Sequence, residues 1–175
     1  MPLEINSCPS GWVQIGHLCY YFSKVKATWS KARSSCRNQN SDLVVPTNTI
    51  ASKAIAKVAK EKNMAETWIG LIRHQDKKFY TIFGSKPSYT NWQPGEPNNG
   101  EGSENCGHLG NEHGQWNDIR CERLFPFICQ KQKCKLMFIF ISTFGNWLHQ
   151  KWEFNSKSIS IFFLNECIVL NMGYL

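Results

Sequence analysis

No apolar run in this sequence reaches the roughly 20 residues that a membrane-spanning helix requires. The two longest apolar stretches lie near the end of the chain, at residues 136–148 and 159–170, and polar residues interrupt both. The first eight residues also lack the apolar segment that an export signal contains. We therefore expect no membrane association through the tail, and no export signal within this sequence.

Close cysteine pairs of the C-x2-C kind, which a structural zinc site needs, are also missing. The nearest spacings are Cys129 with Cys134 and Cys106 with His108, and neither is followed by a matching pair. The eight cysteines are instead spread along the chain. This distribution favours disulfide bonds, and hence an oxidising, extracellular compartment for a secreted protein or an ectodomain.

The charge pattern lacks a basic stripe. The net charge is +7, but residues 1–130 hold 15 Lys and Arg against 11 Asp and Glu, and the excess is diffuse. We therefore expect no nucleic-acid partner. Lysines 53, 57, 60 and 62 cluster on one predicted helix, where a solvated face is favoured over a patch that binds an anionic surface.

A catalytic arrangement is missing as well. His108 and His113 lie in a Gly-rich loop, where histidines are usually solvated, and neither has a Ser, Cys or Asp pattern that indicates a catalytic pair. We predict that the protein is not an enzyme.

The length of 175 residues suits one domain. Residues 8–130 have the mixture of apolar residues and turn signals typical of a folded domain, so we predict a short lead at 1–7 and a tail at 131–175. For the tail we favour a poorly folding, non-native extension rather than a membrane-associated hairpin.

Apolar spacing predicts two helices followed by short strands. The first helix covers residues 27–37 with Thr28 as its N-cap, and the second follows Pro46 with Thr47 or Asn48 as its N-cap and ends near Asn63. The apolar stripe of the second helix is formed by Ile50, Ala54, Ile55 and Val58. Strands are predicted at 68–72, 79–83 and 125–129. This order indicates an α+β fold.

The long polar segment between Tyr89 and Trp116 is typical of a functional loop. This segment and the residues just after it offer carboxylate and amide oxygens, which calcium takes in sets of six to eight. A cis bond before Pro97 would turn the side chains on either side of it toward one point. The candidate calcium ligands are Glu96, Asn98, Glu104, Asn117 and Asp118.

Several motifs, in order and approximate spacing, resemble the C-type lectin domain over residues 8–130. They are Trp68-Ile69-Gly70-Leu71, Glu96-Pro97-Asn98, Glu104-Asn105-Cys106, Trp116-Asn117-Asp118, Cys121 and Pro126-Phe127-Ile128-Cys129. The resemblance implies the C-type lectin fold, in which two helices and short antiparallel strands carry a long calcium-binding loop. It also implies the long-form disulfides Cys8–Cys19, Cys36–Cys129 and Cys106–Cys121, whereas six cysteines alone allow fifteen pairings. Cys134 and Cys167 lie outside this pattern.

The resemblance further implies that the five candidate ligands hold one Ca²⁺, and that the same five residues bind a sugar that coordinates this ion directly. The E-P-N form of the motif implies mannose-type sugars, namely mannose, N-acetylglucosamine, fucose and glucose. An auxiliary calcium site is expected to be lost, because Arg73 and Lys77 stand near positions where relatives carry acidic residues, and Asn99 and Asn105 replace other carboxylates. Trp68, Trp92 and Trp116 are predicted to be core residues rather than sugar-stacking platforms.

The expected partners are glycans or glycoproteins, in a role in innate recognition. Because one such site binds a monosaccharide weakly, an oligomer could supply avidity. Two alternatives stay open: a C-type lectin-like domain that binds a protein without sugar, and an enzyme acting on carbohydrate. The latter would typically need two carboxylates about 5 to 10 Å apart, and here calcium would occupy Glu96 and Glu104.

Overall fold

The computed structural model describes residues 4–111, 113–137, 151–154, 157–164 and 167–173. The chain divides into two compact units, Gly11–Gln132 and a smaller one formed by Met1–Ser10 with Lys133–Leu175. The larger unit contains both helices, α1 (Trp29–Arg37) and α2 (Thr49–Glu61). The strands of the described residues are, in chain order, β1 (Glu4–Ser7), β2 (Val13–Ile15), β3 (Leu18–Ala27), β4 (Asp42–Leu43), β5 (Thr67–Arg73), β6 (Phe79–Thr81), β7 (Cys106–Leu109), β8 (Trp116–Ile119), β9 (Phe125–Gln132), β10 (Cys134–Met137), β11 (Lys151–Phe154), β12 (Lys157–Leu164) and β13 (Cys167–Gly173).

Helix α1 begins where the sequence predicted. The hydroxyl of Thr28 accepts a hydrogen bond from the backbone amide of Lys31, which satisfies one of the amide groups left without a partner at a helix start. The face of α1 that points into the core carries Trp29, Ala32 and Cys36. These residues stand three and four positions apart, which is the spacing of one face of a helix.

Helix α2 is capped by Asn48, whose side chain accepts a hydrogen bond from the amide of Ala51 at 2.9 Å. It ends at Glu61, close to the predicted stop. The predicted apolar stripe is wrong at its first residue, because Ile50 lies in the first turn and is 83% exposed. The face that is actually buried carries Ser52, Ile55, Ala56 and Ala59.

One sheet organises the larger unit. Its strands follow the order β2-β3-β9-β5-β7-β8, with β4 paired to β9 and β6 paired to β5. The three predicted strands correspond to β5, β6 and β9, and β9 pairs in parallel with β5 through Phe127 and Trp68. The long strand β3 was not predicted, although it is the antiparallel partner of β9 along most of its length. The α+β prediction is confirmed.

A disulfide bond and a buried tryptophan join helix α1 to this sheet. Cys36 in α1 is bonded to Cys129 in β9, as the resemblance implied, with Cα atoms 5.4 Å apart. The indole of Trp29 donates a hydrogen bond to the carbonyl of Ile69 at 2.8 Å. Cys106 and Cys121 form a second predicted disulfide, and Cys8 and Cys19 are each disulfide-bonded. The core around these bonds is therefore cross-linked as well as packed.

The smaller unit contains two antiparallel sheets among its described residues. Strand β1 pairs with β10, and β11, β12 and β13 form a three-stranded sheet. Most of the apolar stretch 136–148 lies outside the described residues. Among the helices that the structure does describe, none is long and apolar enough to cross a membrane.

Candidate functional site

The first part of the polar loop is anchored to strand β8. The amide of Trp116 donates to the carbonyl of Asn91 at 2.7 Å, and the amide of Gln93 donates to the carbonyl of Trp116 at 2.8 Å. The rings of Trp92 and Trp116 also meet edge to face, with centroids 5.6 Å apart. These contacts fix where the loop leaves the core, so the residues that follow pass beside Asp118.

Asp118 joins the two halves of the candidate site. Its carboxylate is fully buried, and its Oδ1 accepts a hydrogen bond from the backbone amide of Asn98 at 3.0 Å. Its Oδ2 accepts from the amide of Asn99 at 2.9 Å. Residues that are 19 and 20 positions apart in sequence are thereby brought into direct contact.

Glu96 and Asn98 lie on either side of Pro97, and the Glu96–Pro97 bond is cis, as hypothesised. Oε1 of Glu96 accepts from Nδ2 of Asn98 at 2.8 Å, and Oε2 accepts from the Asn98 backbone amide at 3.0 Å. The Oδ1 atom of Asn98 accepts from the amide of Gly100 at 2.6 Å. The two side chains therefore lie together.

Glu104 closes the loop against the same group of residues. A Cβ placed on Gly100 would lie 2.9 Å from Oε2 of Glu104 and 3.1 Å from Oδ1 of Asn98. The backbone amide of Glu104 donates to Oδ1 of Asn99 at 3.1 Å. Two predicted ligand oxygens thus border the small space that the missing side chain of Gly100 leaves open.

Asn117 is positioned by a residue that the sequence analysis did not select. The Nδ2 atom of Asn117 lies 3.2 Å from Nε2 of His108, its neighbour across strands β7 and β8. Burial lowers the pKa of His108 to about 4, so the ring is neutral at neutral pH and its Nε2 can accept from the amide. The Oδ1 atom of Asn117 then stays available for another partner.

The expectation that His108 is solvated is wrong. The ring is 2% exposed and stacks on Phe125, with centroids 5.1 Å apart, while Trp68 meets it edge to face. The signal for the position of His108 is its pairing with Asn117 across two strands. The local sequence does not show that pairing.

The carboxylates of the candidate site repel one another. The pKa of Glu96 is raised, first by partial burial and then by a hydrogen bond with Asp118 and by the charges of Asp118 and Glu104. Such mutual repulsion is relieved when a cation binds among the carboxylates. The oxygen-only donor set of three carboxylates and two amides fits calcium rather than zinc.

The acidic side chains of the candidate site do not by themselves form a metal-binding group. Among the described residues, His, Cys, Asp and Glu side chains alone form no group of three that could hold a metal ion. Glu96, Glu104 and Asp118 are therefore not gathered into such a group on their own, and the predicted set adds the amide oxygens of Asn98 and Asn117 to them.

Arg73 is the second residue whose role the sequence analysis missed. It was noted as a basic residue at an auxiliary calcium position, but its guanidinium forms a salt bridge with the buried carboxylate of Asp118. It also donates to the carbonyls of Glu104 at 3.1 Å and Lys77 at 3.0 Å. Its charged group lies 4.6 Å from the ring centre of Phe79.

The tryptophans occupy the core, as predicted. Trp68 and Trp116 are completely buried. Trp92 is partly buried, and its ring packs against Phe79 with centroids 4.8 Å apart. No tryptophan of these three stands free beside the candidate ligands as a stacking platform.

Comparison with known proteins places this chain in one family. The family model described as Lectin C-type domain matches residues 25–131. The chain is 34% identical over 128 residues to the low affinity immunoglobulin epsilon Fc receptor of Mus musculus, an alignment that covers 72% of this chain and 38% of the receptor. The chain thus spans well under two thirds of that receptor's length.

Solved structures agree with the sequence match. The mouse scavenger receptor C-type lectin carbohydrate-recognition domain superposes with a TM-score of 0.66 at 34% identity, covering 72% of this chain and 98% of that domain. The cow carbohydrate-recognition domain of CD23, solved in the presence of a GlcNAc2Man3 oligosaccharide, has a TM-score of 0.66 at 32% identity and covers 73% and 98% of the two chains. The chain belongs to the C-type lectin domain family.

Proposed function

We propose that this protein binds carbohydrate through one Ca²⁺ held by Glu96, Asn98, Glu104, Asn117 and Asp118. The observation that carries the proposal is the direct bonding of the loop around Asn98 to the buried carboxylate of Asp118. This bonding assembles oxygen donors from two distant segments, and the repulsion felt by Glu96 makes a cation favourable there.

The chemistry of the donor set also suits a sugar. Bound calcium would supply a coordination centre for two neighbouring hydroxyl groups. The carboxylates of Glu96 and Glu104 can accept hydrogen bonds from those hydroxyls, and the side-chain amide of Asn98 can donate to them. For the ligand we propose mannose-type sugars, as the E-P-N motif implies. The oligosaccharide present with the CD23 domain of cow supports this class.

A second candidate is a protein ligand bound without sugar. It is favoured by one comparison, because the mouse relative is named as a receptor for an immunoglobulin Fc region. Binding of that kind need not use the calcium ligands. Chelation therefore separates the two candidates.

The test is a glycan array probed with the full chain in calcium and in chelator. Retention on mannose-type glycans should require calcium and be lost in Glu96→Gln. A matched control is Glu66→Gln, which removes an exposed carboxylate outside the site. Binding that survives chelation would instead favour the protein ligand, and release of new reducing ends would indicate an enzyme.

Extracellular placement is part of the proposal. The disulfides Cys36–Cys129 and Cys106–Cys121 lie within the lectin unit and suit an oxidising compartment. Because a single shallow site binds a monosaccharide on the order of millimolar, several copies on one surface would be needed for firm attachment in innate recognition.

A further inference from the structure

Arg73 connects three separate segments around the candidate site. From the end of β5, its Nη2 contacts the carboxylate of Asp118 on β8, and its Nε donates to the carbonyl of Glu104 at the end of the loop. Its Nη1 donates to the carbonyl of Lys77 in the turn before β6. One guanidinium therefore bonds three segments that lie up to 45 residues away from it in the sequence.

The environment of Arg73 makes these bonds persistent. Its side chain is only 11% exposed, and the facing carboxylate of Asp118 is 0% exposed. The ring of Phe79 covers one face of the guanidinium. Charge-assisted hydrogen bonds are strong in such surroundings. The planar guanidinium of an arginine can also donate to several acceptors at once, which the ammonium group of a lysine does less well.

Asp118 connects Arg73 to the loop. Oδ2 of Asp118 contacts Arg73 and also accepts from the amide of Asn99, while Oδ1 accepts from the amide of Asn98. Each of these bonds joins protein atoms, so none of them depends on a cation. Arg73 thus fixes the carboxylate that in turn fixes the loop.

We propose that Arg73 is a positioning residue that holds the segment 96–104 in its binding shape by a network independent of metal. Its three hydrogen bonds gather one carboxylate and two carbonyl oxygens around the guanidinium. The effect on calcium affinity rests on the proposed function, whereas the effect on the loop itself does not.

The experiment is amide hydrogen exchange on the full chain in chelator, comparing the wild type with Arg73→Gln and Arg73→Lys. The amides of Asn98 and Asn99 should exchange about tenfold faster or more in both variants, because a charge-assisted network is lost. The amides of Val44 and Gly70, bonded within the core, should keep their protection. Arg73→Lys retains the positive charge. Its expected failure to restore protection would show that the planar guanidinium is required.

Arg33→Gln is the matched control. Arg33 also bonds an aspartate, Asp42, and a backbone carbonyl, that of Ile82, but it lies away from the loop. Its loss should leave exchange of the loop amides unchanged.

Three outcomes of the exchange experiment would overturn the proposal. They are unchanged loop exchange in Arg73→Gln, equal loss of protection in loop and core in both Arg73 variants, and full rescue by Arg73→Lys.

A calcium titration of the same variants, followed by tryptophan fluorescence, adds a separate readout. Calcium affinity should fall about tenfold in Arg73→Gln, since the loop must then be ordered on binding. Tighter binding would show instead that Arg73 competes with the cation. Failure of the wild type to bind calcium would count against the proposed function and leave the exchange result standing.

Discussion

Asp118 accepts a hydrogen bond from the backbone amide of Asn98 at 3.0 Å, and this bond joins the two motifs that form the candidate site. Since Asp118 is also paired with Arg73 and fully buried, we expect it to serve both the stability of the domain and the proposed ligand set.

Asp118→Asn should therefore impair both properties. Removing one partner of a buried ion pair leaves the other charge uncompensated, which costs about 3 to 5 kcal/mol. We expect a drop of this order in the free energy of unfolding in chelator, measured with urea, together with loss of calcium binding. Asp42→Asn, which affects a more exposed pair with Arg33, should cost less. Equal losses in the two variants would contradict the assigned role.

Glu96→Gln should have opposite effects in chelator and in calcium. The raised pKa of Glu96 means that its ionised form destabilises the folded state, because of burial and the nearby charges of Asp118 and Glu104. The amide should relieve this repulsion and raise the melting temperature in chelator slightly. In calcium the variant should lack the stabilisation that the wild type gains from binding. A variant stabilised by calcium as strongly as the wild type would exclude Glu96 as a ligand.

Gly100→Ala tests the arrangement of ligand oxygens without disturbing the core. The added Cβ would meet the carboxylate of Glu104 and the amide oxygen of Asn98, both of which are ends of side chains that can move. We expect calcium affinity to fall while the melting temperature in chelator stays within a few degrees. Gly11→Ala is a control for the added methyl at a glycine far from the site, although it also carries the strain of a positive φ. Unchanged calcium affinity in Gly100→Ala would show that these two oxygens are not ligands.

His108 should make stability depend on pH. Its pKa is about 4 in the folded protein because it is buried, against about 6.5 for an ordinary histidine. The unfolded chain thus binds a proton that the folded one does not, and stability falls as the pH drops from 6.5 toward 4. The loss is about 3 kcal/mol over this range, partly opposed by protonation of Glu96. Urea unfolding in chelator measures it, and His108→Gln should remove most of the slope. A slope of the same size in the variant would assign it to other groups.

The helices were predictable because their signals are local. Thr28 and Asn48 cap α1 and α2 through bonds to amides three residues on, and a short window of sequence contains both partners. Ile50 shows the limit of this approach. Its apolar side chain suits the stripe, but only the packing of α2 against the sheet decides which side chains are buried.

The motifs led to a candidate ligand set, whereas the residues that contact this set could not be predicted from the sequence. Arg73 reaches Asp118 across 45 positions, and His108 reaches Asn117 through the pairing of β7 with β8. Both contacts depend on strand order and register, which arise from the whole sheet. The basic character of Arg73 was visible in the sequence, but its acceptors were not.

The most direct measurement of the central claim is a calcium titration by isothermal calorimetry, followed by mannose at saturating calcium. The account predicts one Ca²⁺ per chain, no binding in Glu96→Gln, and mannose binding on the order of millimolar that disappears on chelation. Absence of calcium binding to the wild type, or mannose binding that is unchanged in chelator, would contradict it.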